Sequence, residues 1–512
     1  MKRILAIVIA CMMLLALLAA CGTSEPEATP APTAAPTRPP TPRPPDPTEP
    51  PPPAWVLPTD FRDIPDDGLR TDLTGTVRVT MQAWKAAAIV PTIEAFMETY
   101  PGITVILESY AGSEHTFIPG WAAANELPDI IFAAQRNKSS YIAQGWIYPL
   151  DEFIADDDPC WAHYPEALKE WHTWDGRLWA IPTILYPDLV MVNTDILDAL
   201  NMNMPPLDWT WDDYAGFVTR GTTAMYSGTL SLPSVGMIGA SMTPNLHMWC
   251  YDFASSSFMM TRGFLQGWNI ASRINAVPGA VANNLRNAEN DHEDWLRRFG
   301  DINVNNLNAP MEAGLVLSQW IETGYSGWRA YNFNYAFLPT PQNQDVGLRP
   351  NLAGESSFMF PTSRDKAAAF ELLKWLSYGY KGQFVWLDHW EKNIDHTTGA
   401  GRSYIFPATA HPFVLEKLMQ NPSIQAHQDA VMYTYERMGN AMQGNVLANT
   451  LPGIITVQDE VFSQLAARIN AGEAANAVIA EMDAMATGRF REEYNHFIMV
   501  DLPRAIADLR LR

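Results

Sequence analysis

The residues of this sequence that are equipped for chemistry are mainly aromatic rings and carboxylates. The chain carries 18 Trp, 18 Tyr and 56 Asp and Glu residues. Aromatic planes cover flat C–H faces of a ligand, and carboxylates accept hydrogen bonds from hydroxyl groups at its edges. Trp84 comes at the end of an alternating strand pattern, where an α/β sheet exposes ligand groups, and Asp129 closes a loop before a buried strand. The alternatives are a core position for Trp84 and a loop cap for Asp129.

Clusters of neighbouring carboxylates raise the alternative of catalysis. The runs 156–158 and 212–213 are all aspartate and could supply the acid and base of a hydrolase. Glycosidase carboxylates, however, face each other across about 5–10 Å, whereas adjacent residues are more typical of solvated faces or helix caps. The sequence holds no HExxH, GxSxG, P-loop or CxxC motif. His163 and His172 have no partner at metal-ligand spacing. We therefore predict no enzyme, no metal and no cofactor, with a secreted carbohydrate-active hydrolase or lyase as the alternative.

The N-terminus has the form of an export signal. Lys2 and Arg3 precede the uncharged apolar run Ile4–Ala20. The run ends at Leu18-Ala19-Ala20-Cys21, which resembles the bacterial lipoprotein signal, in which the cysteine is lipidated and becomes the new N-terminus. An uncleaved signal anchor with an incidental cysteine is the alternative. We predict lipidation at Cys21, an anchor in the membrane, and an extracytoplasmic place in the cell envelope.

A proline-rich tether follows the cysteine. Of the 32 residues from Thr23 to Ala54, 14 are proline, so the segment has no apolar face with which to build a core. In polyproline geometry it would reach about 100 Å. A slack linker without a length requirement fits the same composition. Residues 1–21 are therefore predicted to be the signal with its cysteine, and residues 22–58 a disordered tether.

Composition limits what the remaining chain does. About 450 residues are too many for one core and suit two lobes. Without Lys2 and Arg3, 32 basic residues face 56 acidic ones, a net charge of −24. Nucleic acid needs clustered positive charge, so it is excluded as a partner. Cys160 and Cys250 could pair in an oxidising compartment, and the sequence leaves this pairing open.

Periodicity predicts an α/β protein. Alternation at Val77, Val79 and Met81 predicts a strand, Pro91 to Tyr100 a helix ended by Pro101-Gly102, and Ile103–Leu107 a second strand. Such a βαβ unit implies a parallel sheet with a right-handed crossover. A helix is predicted from about Thr194, another after Ser363, and mostly helical chain from Asn421. Other predicted elements are the strands Leu127–Ala134, Val190–Asn193, Phe333–Pro341 and Gly354–Ser363, and a hairpin at Asp175-Gly176.

The order of these segments resembles the family 1 extracellular solute-binding proteins of bacterial ABC importers, whose best-known relatives bind maltose and other sugars. The resemblance covers about Thr76 to Ala486. It rests on short pieces in a fixed order: the strand ending at Trp84, "PDI" at Pro128–Ile130, "GW-x-x-PLDEFI" at Gly145–Ile154, "DGRLWAIP" at Asp175–Pro182, "VNTDIL" at Val192–Leu197, "DWTWDDY" at Asp208–Tyr214, "MEAGLVLSQW" at Met311–Trp320 and "GESSFMFPTSRDKAAAFELLKWL" at Gly354–Leu376.

The resemblance implies a two-lobe periplasmic-binding-protein type II fold, with strands that cross between the lobes and a ligand held in the cleft. Lobe 1 would comprise residues 76–186 with 354–417, and lobe 2 residues 187–352 with 421–486. Residues 487–512 form a C-terminal extension outside the resemblance. The stretch 254–308 fits the family pattern poorly.

The resemblance also implies where the ligand would be contacted. Tyr186, four residues after Pro182, has the spacing at which the family puts an acidic or aromatic contact residue. Asp188 lies at the predicted crossover and would contact ligand or satisfy backbone amides of the hinge. Trp320 ends the strand in which the family carries an aromatic.

Two further candidates complete the predicted site. Glu355 follows Gly354 on a glycine-led strand, and Trp249 is a candidate by its position. The helix around Val457–Phe462 lacks an aromatic where maltose binders stack a ring. The predicted ligand-contacting residues are therefore Trp84, Asp129, Tyr186, Asp188, Trp249, Trp320 and Glu355.

Together these patterns predict a monomeric, lipid-anchored solute-binding protein that captures a small solute, a carbohydrate above all, by hinge closure. Its partners would be that solute and an ABC transporter permease. A sensory surface lipoprotein of the same fold is an alternative, because both roles need only closure.

Overall fold

The computed structural model describes residues 57–65, 68–134, 138–155, 158–252, 254–322, 331–393, 406–443 and 452–510. The predicted signal, Cys21 and nearly all of the predicted tether lie outside these residues. Within the described part, no helix combines the length and the apolar character needed to cross a bilayer.

The strands of the described residues are numbered in chain order. They are β1 Gly75–Gln82, β2 Ile103–Tyr110, β3 Ile130–Ala134, β4 Thr173–Trp174, β5 Arg177–Leu178, β6 Ile181–Asn193, β7 Ser227–Thr229, β8 Leu246–His247, β9 Tyr251–Asp252, β10 Ser257–Phe258, β11 Val316–Glu322, β12 Tyr335–Pro339, β13 Asn351–Met359 and β14 Met442–Gln443.

The α-helices are numbered in the same way. They are α1 Ala83–Thr99, α2 Glu114–Ala124, α3 Lys138–Ala143, α4 Pro159–Ala162, α5 Glu166–Glu170, α6 Thr194–Leu200, α7 Trp211–Gly221, α8 Val235–Ser241, α9 Phe264–Asn275, α10 Glu293–Phe299, α11 Ala309–Glu312, α12 Lys366–Ser377, α13 Tyr380–Asn393, α14 Pro412–Met419, α15 Pro422–Gln425, α16 Gln428–Tyr435, α17 Ile454–Val457, α18 Ser463–Asn470, α19 Ala475–His496 and α20 Leu502–Arg510. Two π-helical turns, Gln458–Phe462 and Phe497–Asp501, join α17 to α18 and α19 to α20.

A mixed sheet organises the chain. The strand order is β2-β1-β3-β13-β6-β11-β7, with β12 also paired to β6 and β14 to β13. Strands β1, β2 and β3 are parallel, as the predicted βαβ unit requires. β13 runs antiparallel to both β3 and β6. The prediction of an α/β protein with a parallel sheet portion is confirmed.

Strand β6 connects two halves of this sheet. Its first part pairs with β13, with Pro187 opposite Leu352. Its second part, from Leu189 to Asn193, pairs with β12, and β11 pairs with Asp188–Val192 of the same strand. All 13 residues of β6 are buried, and accordingly the strand is mostly apolar, with Thr183, Asp188 and Asn193 as its polar residues, and shows no alternation.

Several local predictions hold because they depend on local chemistry. The Asp175-Gly176 pair forms the turn of the β4–β5 hairpin, with φ values of 52° and 68° that suit a type I′ turn. Helix α6 begins at Thr194, where the Asn193 side chain accepts a hydrogen bond from the backbone N–H of Ile196 at 3.2 Å.

The predicted start of the first helix is wrong. Helix α1 begins at Ala83, and Pro91 lies inside it rather than at its start. Proline removes one backbone hydrogen bond from a helix. Here Ile89, Ile93 and Phe96 are almost completely buried on one face. Burial of that face on both sides of the proline stabilises the longer helix.

The sequence leaves open whether Cys160 and Cys250 form a disulfide. In the structure both are free and buried. Cys160 lies in the core that β1, α1 and α12 share, and Cys250 lies in a second core around the β8–β10 strands. Burial raises the pKa of the Cys160 thiol to about 11, so this cysteine is protonated and unreactive at neutral pH.

Candidate functional site

The carboxyl ends of the three parallel strands meet at one edge of the sheet. β1 ends at Gln82, β2 at Tyr110 and β3 at Ala134, and each is followed within a few residues by the start of a helix. In α/β sheets this edge is where ligands bind. The charged residues in the first turns of these helices are therefore candidates for the site.

Three of these residues, Lys85, Glu114 and Lys138, form a buried charge cluster together with Glu355 of β13. Each is at most 3% exposed to solvent. Lys85 forms an ion pair with Glu355 on β13 and donates a second hydrogen bond to the backbone carbonyl of Ala133 at 2.8 Å. Two cations and two anions balance within the cluster, as buried charges must.

Burial has the largest effect on the pKa values of the two lysines of this cluster. It lowers the pKa of Lys85, against the opposing pull of the Glu355 and Glu114 carboxylates. It lowers the pKa of Lys138 to about 8, although Glu114 and Glu355 act in the other direction. The Lys138 ammonium donates to the carbonyl of Ala134 at 2.9 Å. Burial thus makes both lysines of the cluster bind their protons more weakly than lysines in water do.

Replacement of Lys138 by methionine is expected to remove a pH dependence of stability. The native lysine has a pKa near 8 and the unfolded one near 10.5, so the unfolded chain binds more protons between these values. The wild-type free energy of unfolding should therefore rise by about 1–3 kcal/mol, relative to that of Lys138→Met, from pH 8 to pH 10.5. Urea unfolding of both proteins at several pH values measures the free energy of unfolding. If this free energy changed with pH equally in both proteins, the prediction would be wrong.

Polar atoms around the cluster have unused hydrogen-bonding capacity. Within the described part of the chain, Gln82 Oε1, the Tyr110 hydroxyl and His172 Nδ1 are buried without a hydrogen-bond partner. His172 Nε2 lies 2.7 Å from the hydroxyl of Ser356, next to Glu355 in sequence. Burial and the nearby charge of Lys138 lower the pKa of His172, which favours its neutral form. Such atoms can bind hydroxyl groups of a polar solute or ordered water.

At the crossing strands, the predicted residues Asp188 and Trp320 are in direct contact. The Trp320 indole N–H donates to the Asp188 carboxylate at 2.8 Å, and the side-chain amide of Asn351 donates to the same oxygen at 2.5 Å. Trp320 also stacks on Trp211, with ring centroids 5.7 Å apart and planes 17° apart. Asp188 is 5% exposed. It therefore orients the Trp320 side chain.

Trp249 provides an aromatic surface in the other half of the molecule. Its backbone has a left-handed φ of 64°, which is uncommon outside glycine. Its ring lies 4.7 Å from the ring of Phe462, and its indole N–H is buried without a partner among the described residues. Phe462 ends the π-helical turn of the segment that lacks an aromatic at the position where maltose binders stack a ring. The described geometry therefore adds Phe462 to the candidates.

The other predicted site residues are distributed as follows. Asp129 lies at the opposite edge of the sheet, because it precedes β3, and its carboxylate accepts from the backbone N–H of Arg78 at 2.6 Å. This is the loop-capping alternative, and Asp129 is not brought together with the others. Tyr186 is 1% exposed and packs in the core beside the β6–β13 ladder. Trp84 lies in the first turn of α1 at the expected edge, and its side chain is outside the described residues.

The carboxylates considered for catalysis have structural partners where they are described. Asp158 accepts from the backbone N–H of Cys160 at 2.8 Å and forms a buried ion pair with Lys374 at 2.7 Å. Asp213 and Thr210 form a reciprocal cap at the start of α7. Asp212 pairs with Arg273 at the surface. Residues 156 and 157 lie outside the described part.

A crevice of about 790 Å³ opens between α3, the segment around α17 and the end of α19. One side is α3, which follows β3 and supplies Ser139 and Gln144; the other is the segment around α17, with Thr456 and Glu460. Hydroxyl, amide and carboxylate groups of this kind exchange hydrogen bonds with polar solutes. The crevice is large enough for a small ligand.

A second crevice of about 510 Å³ is lined by Glu166, Glu170, Asp252 and Arg349. Arg349 is 3% exposed, and its guanidinium donates to the carbonyls of Ala240 and Thr243 at 2.7 and 2.8 Å. This arginine holds the loop after α8 in place.

Comparison with known proteins agrees with this geometry. The family model "Bacterial extracellular solute-binding protein" matches residues 79–377. An ABC substrate-binding protein from Listeria monocytogenes in complex with cycloalternan has a TM-score of 0.57 at 12% identity, with 81% of this chain and 99% of that chain covered. The sugar-binding protein MalE from Xanthomonas citri has a TM-score of 0.58 at 15% identity, with 82% and 98% covered.

A third similar structure is the cyclic alpha-maltosyl-1,6-maltose binding protein from Arthrobacter globiformis, with a TM-score of 0.57 at 17% identity and 82% and 100% of the two chains covered. These likenesses confirm the two-lobe periplasmic-binding-protein fold predicted from the sequence. Because the family model matches more than half of its residues, the chain belongs to the bacterial extracellular solute-binding protein family.

Proposed function

We propose that this protein captures a carbohydrate between its two lobes by hinge closure and delivers it unchanged to an ABC permease. In this proposal the lobes have the bounds given above, residues 76–186 with 354–417 and residues 187–352 with 421–486. A lipid on Cys21 holds the protein at the outer face of the membrane, and the proline-rich tether carries the lobes away from it. The protein works as a monomer.

One observation carries the proposal. Strand β6 pairs with β13 in one half of the sheet and with β11 and β12 in the other, and the 790 Å³ crevice opens between α3, which follows β3 of the first half, and the segment around α17. A hinge at such strands lets the halves close on a solute, and a solute that prefers the closed form shifts the population toward it.

The chemistry of the two halves supports a carbohydrate as the solute. The first half contributes the Gln82 and Tyr110 oxygens, which have no hydrogen-bond partner among the described residues, and the second half contributes the Trp249 and Phe462 rings. Hydrogen-bonding groups on one side and aromatic planes on the other match the edges and faces of a sugar ring. The carbohydrates named for the similar structures, cycloalternan and a cyclic maltosyl-maltose, are cyclic oligosaccharides and provide the first probes.

Replacement of Trp249 by alanine is expected to weaken the binding of such a sugar at least about tenfold, because an aromatic that stacks on a ligand carries a large share of the affinity. Trp320→Ala should act in the same direction. Isothermal titration calorimetry with cycloalternan, maltose and linear maltooligosaccharides measures the effect. Trp161→Ala is the matched control, since Trp161 is also half-buried but packs against Tyr164 and Tyr378 and not against Phe462 or Trp211, the partners of the two tested tryptophans.

Three outcomes would count against the proposal. If a sugar binds and both tryptophan variants bind it as tightly as Trp161→Ala does, the site lies elsewhere. If no member of a wider panel of sugars and polyols binds, the carbohydrate class is wrong. Recovery of a shortened or otherwise altered sugar from the mixture would favour the enzyme alternative instead.

A further inference from the structure

The C-terminal extension lies outside the family match, and its first part is fastened to the second half of the molecule. Helix α19 leads into it and runs along the β9–β10 hairpin. The Asp483 carboxylate of α19 accepts from the backbone N–H of Met260 at 2.9 Å. The Thr487 hydroxyl accepts from the backbone N–H of Phe258 at 3.2 Å, and the Phe490 ring lies 4.6 Å from that of Tyr251.

The second part of the extension is fastened to the first half. After the π-helical turn, α20 packs toward α3 and the β4–β5 hairpin. The Phe497 ring meets Trp174 edge-on, with centroids 5.6 Å apart. Leu502 and Ala505 are each 1% exposed. The guanidinium of Arg504 donates to the carbonyl of Ala143 at 3.3 Å.

The extension therefore bridges the two halves on the side where the 790 Å³ crevice opens. Its own residues also line that crevice: Arg489, Glu492, Glu493, His496, Phe497 and Asp501. A solute in the crevice would touch the extension as well as α3 and the α17 segment. This gives the extension two roles at once, as a wall of the crevice and as a link across it.

We propose that the C-terminal extension is a latch, whose α20 end must leave the first half for the crevice to admit a solute. The proposal rests on the crevice being the solute site of the proposed function. The π-helical turn Phe497–Asp501 separates the end held by the second half from the end held by the first. π-helical turns are local irregularities in a helix and often occur at functional sites. The latch swings about this turn.

Alkylation of a crevice reporter tests the latch without any solute. Ser139 lines the crevice and is 8% exposed. In the full chain, Ser139→Cys should react with N-ethylmaleimide at least about tenfold faster when Phe497 is replaced by alanine, because the loss of the Trp174 contact favours the released latch. Mass spectrometry of the peptide that contains position 139 gives the rate. The native Cys160 and Cys250 are buried and serve as internal references.

The matched control is Met499→Ala in the same turn. Met499 is 75% exposed, so its removal should leave the alkylation rate unchanged. Leu509→Ser, at the half-buried end of α20, should raise the rate less than Phe497→Ala and in the same direction. If Phe497→Ala does not fold, Leu509→Ser decides the question by itself.

Hydrogen exchange at the β4–β5 hairpin gives the second readout. Release of the latch should speed exchange of the hairpin amides about tenfold in Phe497→Ala but not in Met499→Ala. Alkylation and exchange rates equal to those of the Met499 control would overturn the latch, even if a sugar binds. Conversely, faster rates without any sugar binding would support the latch while the proposed function failed.

Discussion

Replacing Glu355 by alanine is expected to lower the free energy of unfolding by about 3–5 kcal/mol. Glu355 is fully buried, and its partner Lys85 is 3% exposed. The variant leaves the Lys85 ammonium in the interior with the carbonyl of Ala133 and with the carboxylate of Glu114, which acts on it more weakly than Glu355 does. A buried charge without its ion-pair partner costs far more than the pair itself contributes. Urea unfolding at pH 7, followed by circular dichroism and tryptophan fluorescence, measures the loss.

Two comparisons separate this effect from the general cost of a mutation. Glu98→Ala removes a carboxylate that pairs with Arg62 at the surface, where both side chains are about half exposed, and should leave stability almost unchanged. The double variant Lys85→Met, Glu355→Leu removes both charges and should recover most of the lost free energy of unfolding. Apolar side chains of similar volume fill the same space, and no charge has to be removed from water. If the Glu355→Ala variant were as stable as the Glu98→Ala variant, the predicted cost of breaking the buried Lys85–Glu355 ion pair would be wrong.

The elements that the sequence predicts well are those decided by neighbouring residues. The strand around Val77–Met81, the turn at Asp175-Gly176 and the start of α6 at Thr194 each follow from periodicity or turn chemistry within a few positions. The start of α1 does not, because Pro91 is a local signal that burial of Ile89 and Phe96 overrides. Tertiary packing of this kind is invisible to a local pattern.

The candidate site is predicted in part, for a related reason. Asp188 and Trp320 are 132 positions apart and touch, and only the family resemblance suggested both. Asp129, which is predicted from its place in a loop before a buried strand, lies at the opposite edge of the sheet, where it caps that loop. Lys85 and Lys138 were missed, although each follows a predicted strand, because spacing does not say which charges are buried together. Position relative to the carboxyl ends of the parallel strands was the available signal.

Replacing Gly267 by alanine is expected to destabilise the protein by about 3 kcal/mol or more, because no space exists for the new methyl group. A Cβ atom at Gly267 would lie 2.1 Å from the backbone oxygen of Val235 and 2.8 Å from the backbone nitrogen of Gly239. Helices α8 and α9 thus touch backbone to backbone, and neither obstacle is a side chain that can rotate away. Relief requires the helices to separate. Thermal and urea unfolding measure the loss, which should come with weaker sugar binding, because α8 carries Gly236 against the backbone of Trp249.

The same substitution at Gly488 is expected to stabilise the protein, in contrast to that at Gly267. Gly488 is exposed in the interior of α19, and nothing lies within 4 Å of the position of its Cβ. Alanine there should stabilise the chain by about 0.5–1 kcal/mol, since glycine loses more conformational freedom than alanine when a helix forms. Each variant adds one methyl group to the wild-type chain. If the two changes in the free energy of unfolding have opposite signs, the space around each glycine is the cause. If Gly267→Ala were as stable as Gly488→Ala, the close contact of α8 and α9 would be wrong, and with it the support that α8 gives to Trp249.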